Sequence, residues 1–422
     1  MSERATVAAA TDDSARRSTA SIPDLTVLRG SPSPDRTPPE DAQPPRDEIA
    51  LCLSGGGYRA MLFHVGAIWR LNEAGLLHQI ARISSVSGGS ITAAVLGMNW
   101  IAMGLDKQSP VARPLFESHF VDPIRRLARR TIDEGSILGG ILTPGVSIAD
   151  KVTSAYRRHL FDEVTLADLP DTPRFIFNAT NVQSGAVWRF SKPYMGDWRV
   201  GRVPNPRVQL AVAVAASSAF PPVLSPLTLD LKPRDFTLRD DSDLVGPNDD
   251  VYRDLVVLTD GGVYDNLGLE TAIKRCRTLL VSDGGQKMAA EPEPRGDWAQ
   301  HSIRVMGLID NQVRGLRKRQ LINAYMCPPT DADHRKGTYW GIGSHFDDYR
   351  KGQPALPDPF NLAGFDPMPL ATVKTRLKAM PGATQERLIN WGYAICDTAV
   401  RRHVGSSVAS PPGLPYPSAG IR

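Results

Sequence analysis

Cysteine is scarce in this chain. Only four occur, at positions 52, 276, 327 and 396, and their irregular spacing matches neither a disulfide framework nor a zinc module. Unpaired thiols in a reducing compartment fit this pattern. Also missing is any run of roughly 18 apolar residues, the length a membrane-spanning helix needs. The amino-terminal stretch has no apolar core of the kind a secretion signal carries. An excess of charge of one sign is nearly absent as well. Lys and Arg number 49 against 45 Asp and Glu, a net charge of +4, so no global field demands a polyanionic partner. Basic–aromatic modules for nucleic acid are lacking. No H-E-x-x-H occurs. The acidic stretch from Asp240 to Asp250 fails as a calcium loop, because Val245 and Tyr252 fall where ligands would stand. Neither a metal nor an organic cofactor is expected. The chain reads as cytoplasmic, with peripheral contact at a membrane allowed.

What is present suffices for a large core, since 41% of the 422 residues are hydrophobic. Residues 1–47 are rich in Ser, Thr, Pro, Asp and Arg and are expected to be a disordered tail. Residues 405–422 are Pro-, Ser- and Gly-rich and are expected to be a second one. Between them, residues 48–290 carry the motifs, and residues 291–404 read as a mainly helical extension packed on that core.

The stretch Leu51-Cys52-Leu53-Ser54-Gly55-Gly56-Gly57-Tyr58-Arg59 runs from a strand-like segment through three glycines into a helical pattern. Consecutive glycines admit positive φ and bare the backbone N–H groups, and a helix start adds positive potential. Such a turn holds an anion, either a phosphate or the oxyanion of an attacked carbonyl. A P-loop needs a Lys here, and a dinucleotide fingerprint needs a later Gly where Ala60 and Met61 stand. The plainer reading is a tight strand-to-helix turn without chemistry.

A second strand, Ile80 to Val86, breaks at Ser87-Gly88-Gly89-Ser90 before another helical run. This is the strand–turn–helix of a nucleophile elbow, with Ser87 at its apex and Ser85 replacing the first glycine of G-x-S-x-G. Ser84 and Ser85 fall inside the strand and Ser90 on the first helical turn. A third strand, Asp254 to Thr259, ends at Asp260-Gly261-Gly262-Val263-Tyr264-Asp265-Asn266, and a fourth ends at Asp283-Gly284-Gly285. Apolar strands alternating with helices predict a mostly parallel α/β sheet, whose ligands bind beyond the carboxyl ends of the strands. The glycine loop, Ser87 and Asp260 all stand at such ends. Together they are the parts of an acyl-transfer site.

These residues resemble the patatin-like phospholipases, known for G-G-G-x-R, G-x-S-x-G and D-G-G or D-G-A in this order. Two further stretches are similar to family segments, Arg174 to Asn181 and the string from Ala211 to Pro222. The glycine loop is closer to the cytosolic phospholipase and phospholipase B relatives than to plant patatins, in what resembles a bacterial-type member. The resemblance implies a three-layer α/β/α fold and hydrolysis of carboxylic esters in phospholipids or lysophospholipids, without a cofactor. Ser87 would be the nucleophile and Asp260 the base of a Ser–Asp dyad. Gly55, Gly56 and Gly57 would form the oxyanion hole, with Arg59 and Gly88 in support. The sequence after Asp260 matches the family motif, and that after Asp283 does not.

Alternatives remain at this level. A Ser–His–Asp triad would need His301, His334, His345 or His403, none of which ends a strand. His64 falls inside the helix predicted from Met61 to Leu71 and reads as a packing residue. A non-catalytic membrane-binding protein on the same fold, or a soluble esterase of small esters, are the other readings. The partner is expected to be a lipid rather than nucleic acid. The run Arg314 to Arg319, on a helix predicted from Ile303 to Tyr325, could meet anionic headgroups or be a solvated face. The cluster Arg125, Arg126, Arg129 and Arg130 has the same two readings.

Overall fold

Strand β1, Arg46–Leu53, opens with charged residues and closes with four buried ones, so only its second half lies deep in the molecule. A computed structural model describes residues 43–132, 147–351, 355–405 and 408–422. Beside β1 lie β2, Ile80–Ser85, and β9, Cys276–Asp283, both parallel to it. β3, Arg174–Asn181, and β10, Lys336–Gly341, extend the parallel array on either side, giving the order β10-β9-β1-β2-β3. Helices cover this mostly parallel central sheet. Side chains alternate along β1. Leu51 and Leu53 enter the main core with helices α1, Gly57–Glu73, and α2, Gly88–Met98. Ala50 and Cys52 face the other way, against residues 267–273 and Leu321. The outcome is the mostly parallel sheet expected from the alternation of strands and helices, in the three-layer α/β/α architecture that the resemblance implies.

Beyond β3 every pairing is antiparallel. β4, Val187–Phe190, β5, Tyr194–Asp197, and β6, Gly201–Pro204, form a meander on one edge of β3. β7, Leu227–Asp230, pairs β8, Leu255–Asp260, which in turn pairs β3. Helix α3, Leu210–Ser217, precedes β7, and the short helix α4, Gly262–Asp265, follows β8.

The segment 291–404 supplies α5, Trp298–Met326, then β10, then α6, Gly382–His403. It is built into the fold, because β10 is the edge strand of the sheet and α6 packs along α1. The two helices approach so closely that a Cβ on Gly66 would lie 1.8 Å from the Ile389 carbonyl oxygen, and one on Gly392 1.9 Å from that of Phe63. A buried ion cluster pins them together. Arg70 Nε donates to Asp397 Oδ1 at 2.8 Å, and Arg401 Nε donates to Asp397 Oδ2 at 2.8 Å.

The expected tail over 405–422 is corrected by the structure. Residues 408–422 return to α6, where Asn390 Nδ2 donates to the carbonyls of Tyr416 and Gly420 at 2.8 and 2.7 Å. Tyr416 packs on Trp69, and Arg125 stacks over its ring at 4.5 Å. Proline and serine content alone did not reveal these side-chain anchors. The expected amino-terminal tail, apart from its last five residues, lies outside the described residues. β1 begins at Arg46, two residues before the expected domain start. No helix among the described residues is long and apolar enough to cross a membrane.

Candidate active site

Register explains how the second and third motifs meet. Phe177 pairs Ser85 of β2 and also Phe190 of β4, so β2 and β4 lie on opposite edges of β3. Ala179 pairs Trp188 of β4 and also Asp260 of β8, so β8 lies opposite β4 too. β2 and β8 therefore share one edge of β3 and approach each other end-on. Their last residues pair positions two apart on β3, a gap of about 7 Å. The expectation of a site at the carboxyl ends of parallel strands is corrected in one respect. β8 arrives from the opposite direction, and its carboxyl end meets that of β2 because both strands stop there.

Ser87 turns the chain out of this gap. It has φ 50° and ψ −118°, a conformation uncommon for a residue with a side chain. Ser87 is partly exposed, whereas Val86 and Gly88 on either side are buried. The strained turn is held from behind. Ser87 N–H donates to Ser217 Oγ at 3.0 Å, and Ser217 donates to the Asn178 carbonyl at 2.7 Å. Ser90 Oγ lies 3.0 Å from Ser85 Oγ and 2.8 Å from Ser217 Oγ. Ser85 itself donates to the Ile176 carbonyl at 3.1 Å, so the Ser90 proton bridges two hydroxyls already committed as donors. Ser85 thus fills the place of the expected glycine with a hydroxyl that finds partners.

Asp260 is buried. Its Oδ1 accepts the Gly262 amide at 2.7 Å, while the buried Oδ2 has no hydrogen-bond partner. Burial pushes its carboxyl up to about 7, against the opposing pull of the Gly262 amide and the neighbouring Ser87 hydroxyl, with Asp310 adding a further push upward. Ser87 is near enough to act on this carboxyl, yet the hydrogen bond to Oδ2 is not formed. Backbone contacts tie the turns to one another. A Cβ on Gly261 would stand 3.2 Å from Val86 Cγ1, and one on Gly55 3.2 Å from Ser87 Cβ.

The glycine loop divides in use. Gly55 N–H donates to the Asn266 carbonyl and to its Oδ1, both at 3.1 Å, so it is already engaged. This departs from the expectation that Gly55 shares in an oxyanion cradle. The amides of Gly56, Gly57 and Gly88 donate to no described residue. Gly57 has φ 59°, and a Cβ there would lie 2.7 Å from the Arg376 carbonyl oxygen. Gly88 packs so tightly that its Cβ would stand 2.2 Å from the Gly57 oxygen. The amides of Gly57 and Gly88 begin helices, where the peptide dipoles add positive potential.

Arg59 packs against the cradle from one side, where a Cβ on Gly56 would stand 2.6 Å from its Nη2. Its Nε donates to the Gly284 carbonyl at 2.9 Å, and its Nη1 donates to Thr375 Oγ1 at 2.9 Å and to the Val373 carbonyl. Burial, with the charge of Arg314 nearby, lowers its pKa to about 9. It ties the loop to Gly284 and to residues 373–375.

The other aspartate is occupied. Asp283 Oδ2 accepts the Tyr339 hydroxyl at 2.8 Å, and Oδ1 accepts the Gly285 amide at 2.9 Å. Burial pushes its carboxyl up, but Arg314 and these donors outweigh it and hold it below the usual range. No histidine is hydrogen-bonded to Ser87 or Asp260 among the described residues, and none is among the groups that shift the Asp260 carboxyl. His64 is buried, with Nε2 donating to the Ser54 carbonyl at 2.9 Å and Nδ1 accepting from Ser282 Oγ at 2.8 Å. Burial lowers its pKa to about 4, so it stays neutral. His334 is bonded to the Cys327 carbonyl, and His403 packs on Tyr349.

A family model described as patatin-like phospholipase matches residues 51–273, more than half of the chain and all three turns. This chain belongs to the patatin-like phospholipase family. No curated protein matches it in sequence. Among solved structures, human GIVD cytosolic phospholipase A2 is similar at 14% identity and a TM-score of 0.47, over 85% of this chain and 59% of that one. This chain therefore spans less than two thirds of that protein. VipD from Legionella pneumophila is similar at 15% identity and a TM-score of 0.33, over 88% of this chain and 71% of that one.

Three residues of the site escaped the sequence reading of roles. Ser217 and Asn266 lie inside motif strings that were recognised, but nothing local says that one holds the Ser87 amide and the other the Gly55 amide. Asp310, on α5, lies outside the family match and carries no motif.

Proposed function

We propose that this protein is a serine acyl hydrolase that cleaves carboxylic ester bonds of phospholipids or lysophospholipids. One observation carries the reading. A buried carboxylate oxygen without a partner, Asp260 Oδ2, sits beside the strained, partly exposed Ser87. Membership of the patatin-like family supports lipid esters as the substrate class.

In this reading Ser87 Oγ attacks the ester carbonyl and its proton passes to Asp260 Oδ2. A carboxyl raised to about 7 is a far better base than an ordinary one. Charge develops on the former carbonyl oxygen, and the amides of Gly56, Gly57 and Gly88 receive it. Each such donor is worth about 2.7–4 kcal/mol of barrier. The tetrahedral intermediate collapses to an acyl-enzyme, and Asp260 returns its proton to the departing alkoxide. Water then attacks the acyl-enzyme as Asp260 takes its proton, and the second tetrahedral intermediate collapses as that proton passes to Ser87 Oγ and the fatty acid leaves.

A fluorophosphonate probe with peptide mapping tests the assignment. Labelling is expected at Ser87 and is expected to vanish in Ser87→Ala, together with release of fatty acid from phospholipid. Labelling at Ser90 or Ser217, or retained hydrolysis by Ser87→Ala, would point to another nucleophile.

A further inference from the structure

Helix α5 carries an apolar surface that no described residue covers. Trp298, Val305, Ile309 and Leu316, spaced by seven, four and seven residues, form one stripe along it. Trp298 is 84% exposed and Ile309 59%. Ile303, Met306 and Leu308 are exposed on its flanks, so residues 303–309 are apolar around most of the circumference. Only Leu321 and Ala324, near the other end, are buried. A water-facing helix is ordinarily polar on this side, and an apolar patch of this extent marks an interaction surface.

Its place in the fold says what it meets. Asp310, one residue beyond Ile309, is close enough to Asp260 for its charge to raise that carboxyl's pKa. Arg317 stacks over Tyr264 at 5.8 Å, just after the Asp260 turn. Two more exposed apolar side chains flank the same turn. Val263 is 47% exposed, and Phe220, 50% exposed, follows Ala219, whose carbonyl accepts the Asp260 amide at 2.9 Å. The charge on α5 is one-sided: Arg304, Arg314, Arg317, Lys318 and Arg319 against the single acid Asp310. Arg319 makes no ion pair with an acid among the described residues, and Lys318 lies over the Tyr339 ring at 4.3 Å, within reach of the charge of Asp283.

We infer that α5, with Phe220 and Val263, docks the protein on an anionic lipid surface, so that ester substrate enters the site from a bilayer. This rests on the reading of Ser87 and Asp260 as an ester-cleaving site. Apolar residues around a helix, with cations further along it, match an acyl boundary beneath acidic headgroups. A second copy of this chain is disfavoured as the occupant, because its own α5 would bring the same positive charge.

The test uses the full chain carrying Ser87→Ala, so that vesicles stay intact. Binding to vesicles of phosphatidylcholine with phosphatidylserine is expected to exceed binding to phosphatidylcholine alone and to shift Trp298 emission to the blue. That shift should disappear in Trp298→Phe. Leu308→Asp with Ile309→Asp should weaken binding on the order of tenfold or more. Lys318→Glu with Arg319→Glu should abolish the preference for phosphatidylserine. In the chain with Ser87 intact, the Leu308→Asp, Ile309→Asp variant should lose vesicle hydrolysis and keep hydrolysis of a soluble monomeric ester.

Unchanged binding by the Asp variant would overturn the inference. So would a parallel loss of monomeric ester hydrolysis, which would make these residues part of the packing. A dimer that becomes monomeric on the same substitutions would assign the stripe to a second copy instead. If the unsubstituted chain binds vesicles but hydrolyses neither substrate, docking stands and the ester-hydrolase reading fails.

Discussion

Ser85 and Asp260 are the last residues of two strands that meet head-on along one edge of β3, paired with Phe177 and Ala179. The seryl turn begins at one strand end and the aspartyl turn at the other. Their separation is therefore set by backbone hydrogen bonds, which yield less than flexible side chains do. That is the physical basis for a nucleophile and a base held ready.

Ser217 holds the Ser87 amide at 3.0 Å from outside both motifs. Ser217→Ala removes the acceptor and leaves a buried donor and the Asn178 carbonyl short of partners. A loss of about 1–3 kcal/mol is expected in denaturant unfolding. Turnover should fall with KM little changed, because the elbow relaxes while the lipid contacts remain.

The Asp260 carboxyl goes from 3.8 in the unfolded chain to about 7 in the native one. Folding therefore favours its protonated form. That stabilisation is complete below the unfolded value and is lost as pH rises through 7. Asp260→Asn, neutral at every pH, should raise stability at pH 8 by on the order of 1–4 kcal/mol and leave it nearly unchanged at pH 3, as thermal unfolding at the two pH values would reveal. Ester turnover should fall on the order of 10³-fold or more. In the wild type, kcat/KM should decline below about pH 7 as the base gains its proton.

Gly57→Ala tests the cradle. The residue has φ 59°, and a methyl group would collide with the Arg376 backbone 2.7 Å away. Moving this amide should lower kcat by on the order of 10²–10³-fold. Gly364→Ala is the control. Gly364 also has positive φ, with no atom near its missing Cβ, so activity there should be nearly unaffected.

Asp397 accepts from Arg70 and Arg401 in the buried seam between α1 and α6. Asp397→Ala leaves two buried guanidinium groups uncompensated, and a loss of about 3–5 kcal/mol is expected in denaturant unfolding. In the protein that remains folded at low temperature, the pH dependence of turnover should be unaltered, since this seam does not touch Ser87 or Asp260.

Much of the molecule was legible in advance for local reasons. The strands ending at Leu53 and Ser85 are apolar runs stopped by glycine, and the helix around His64 shows its periodicity. Where partners decide, the chain was silent. β8 reads like any buried strand, and nothing within Leu255 to Asp260 tells that it runs antiparallel to β3. Tyr416 and Ile421 sit in a stretch whose composition suggests a loose end, and contacts with Asn390, Trp69 and Arg125 make it an ordered one. Gly55 looks the same as its two neighbours until Asn266 takes its amide.

By itself the sequence determined which backbone segments could turn sharply and which side chains stood at those turns: Gly56, Gly57, Ser87, Gly88 and Asp260. Steric limits on φ and ψ act within a few residues, so that information is local. Tertiary structure alone decided which amides stayed unpaired, which carboxylate was buried without a counter-ion and which apolar stripe remained uncovered by the described residues. Desolvation, charge and pairing depend on atoms brought together from distant parts of the chain, and no single segment contains them.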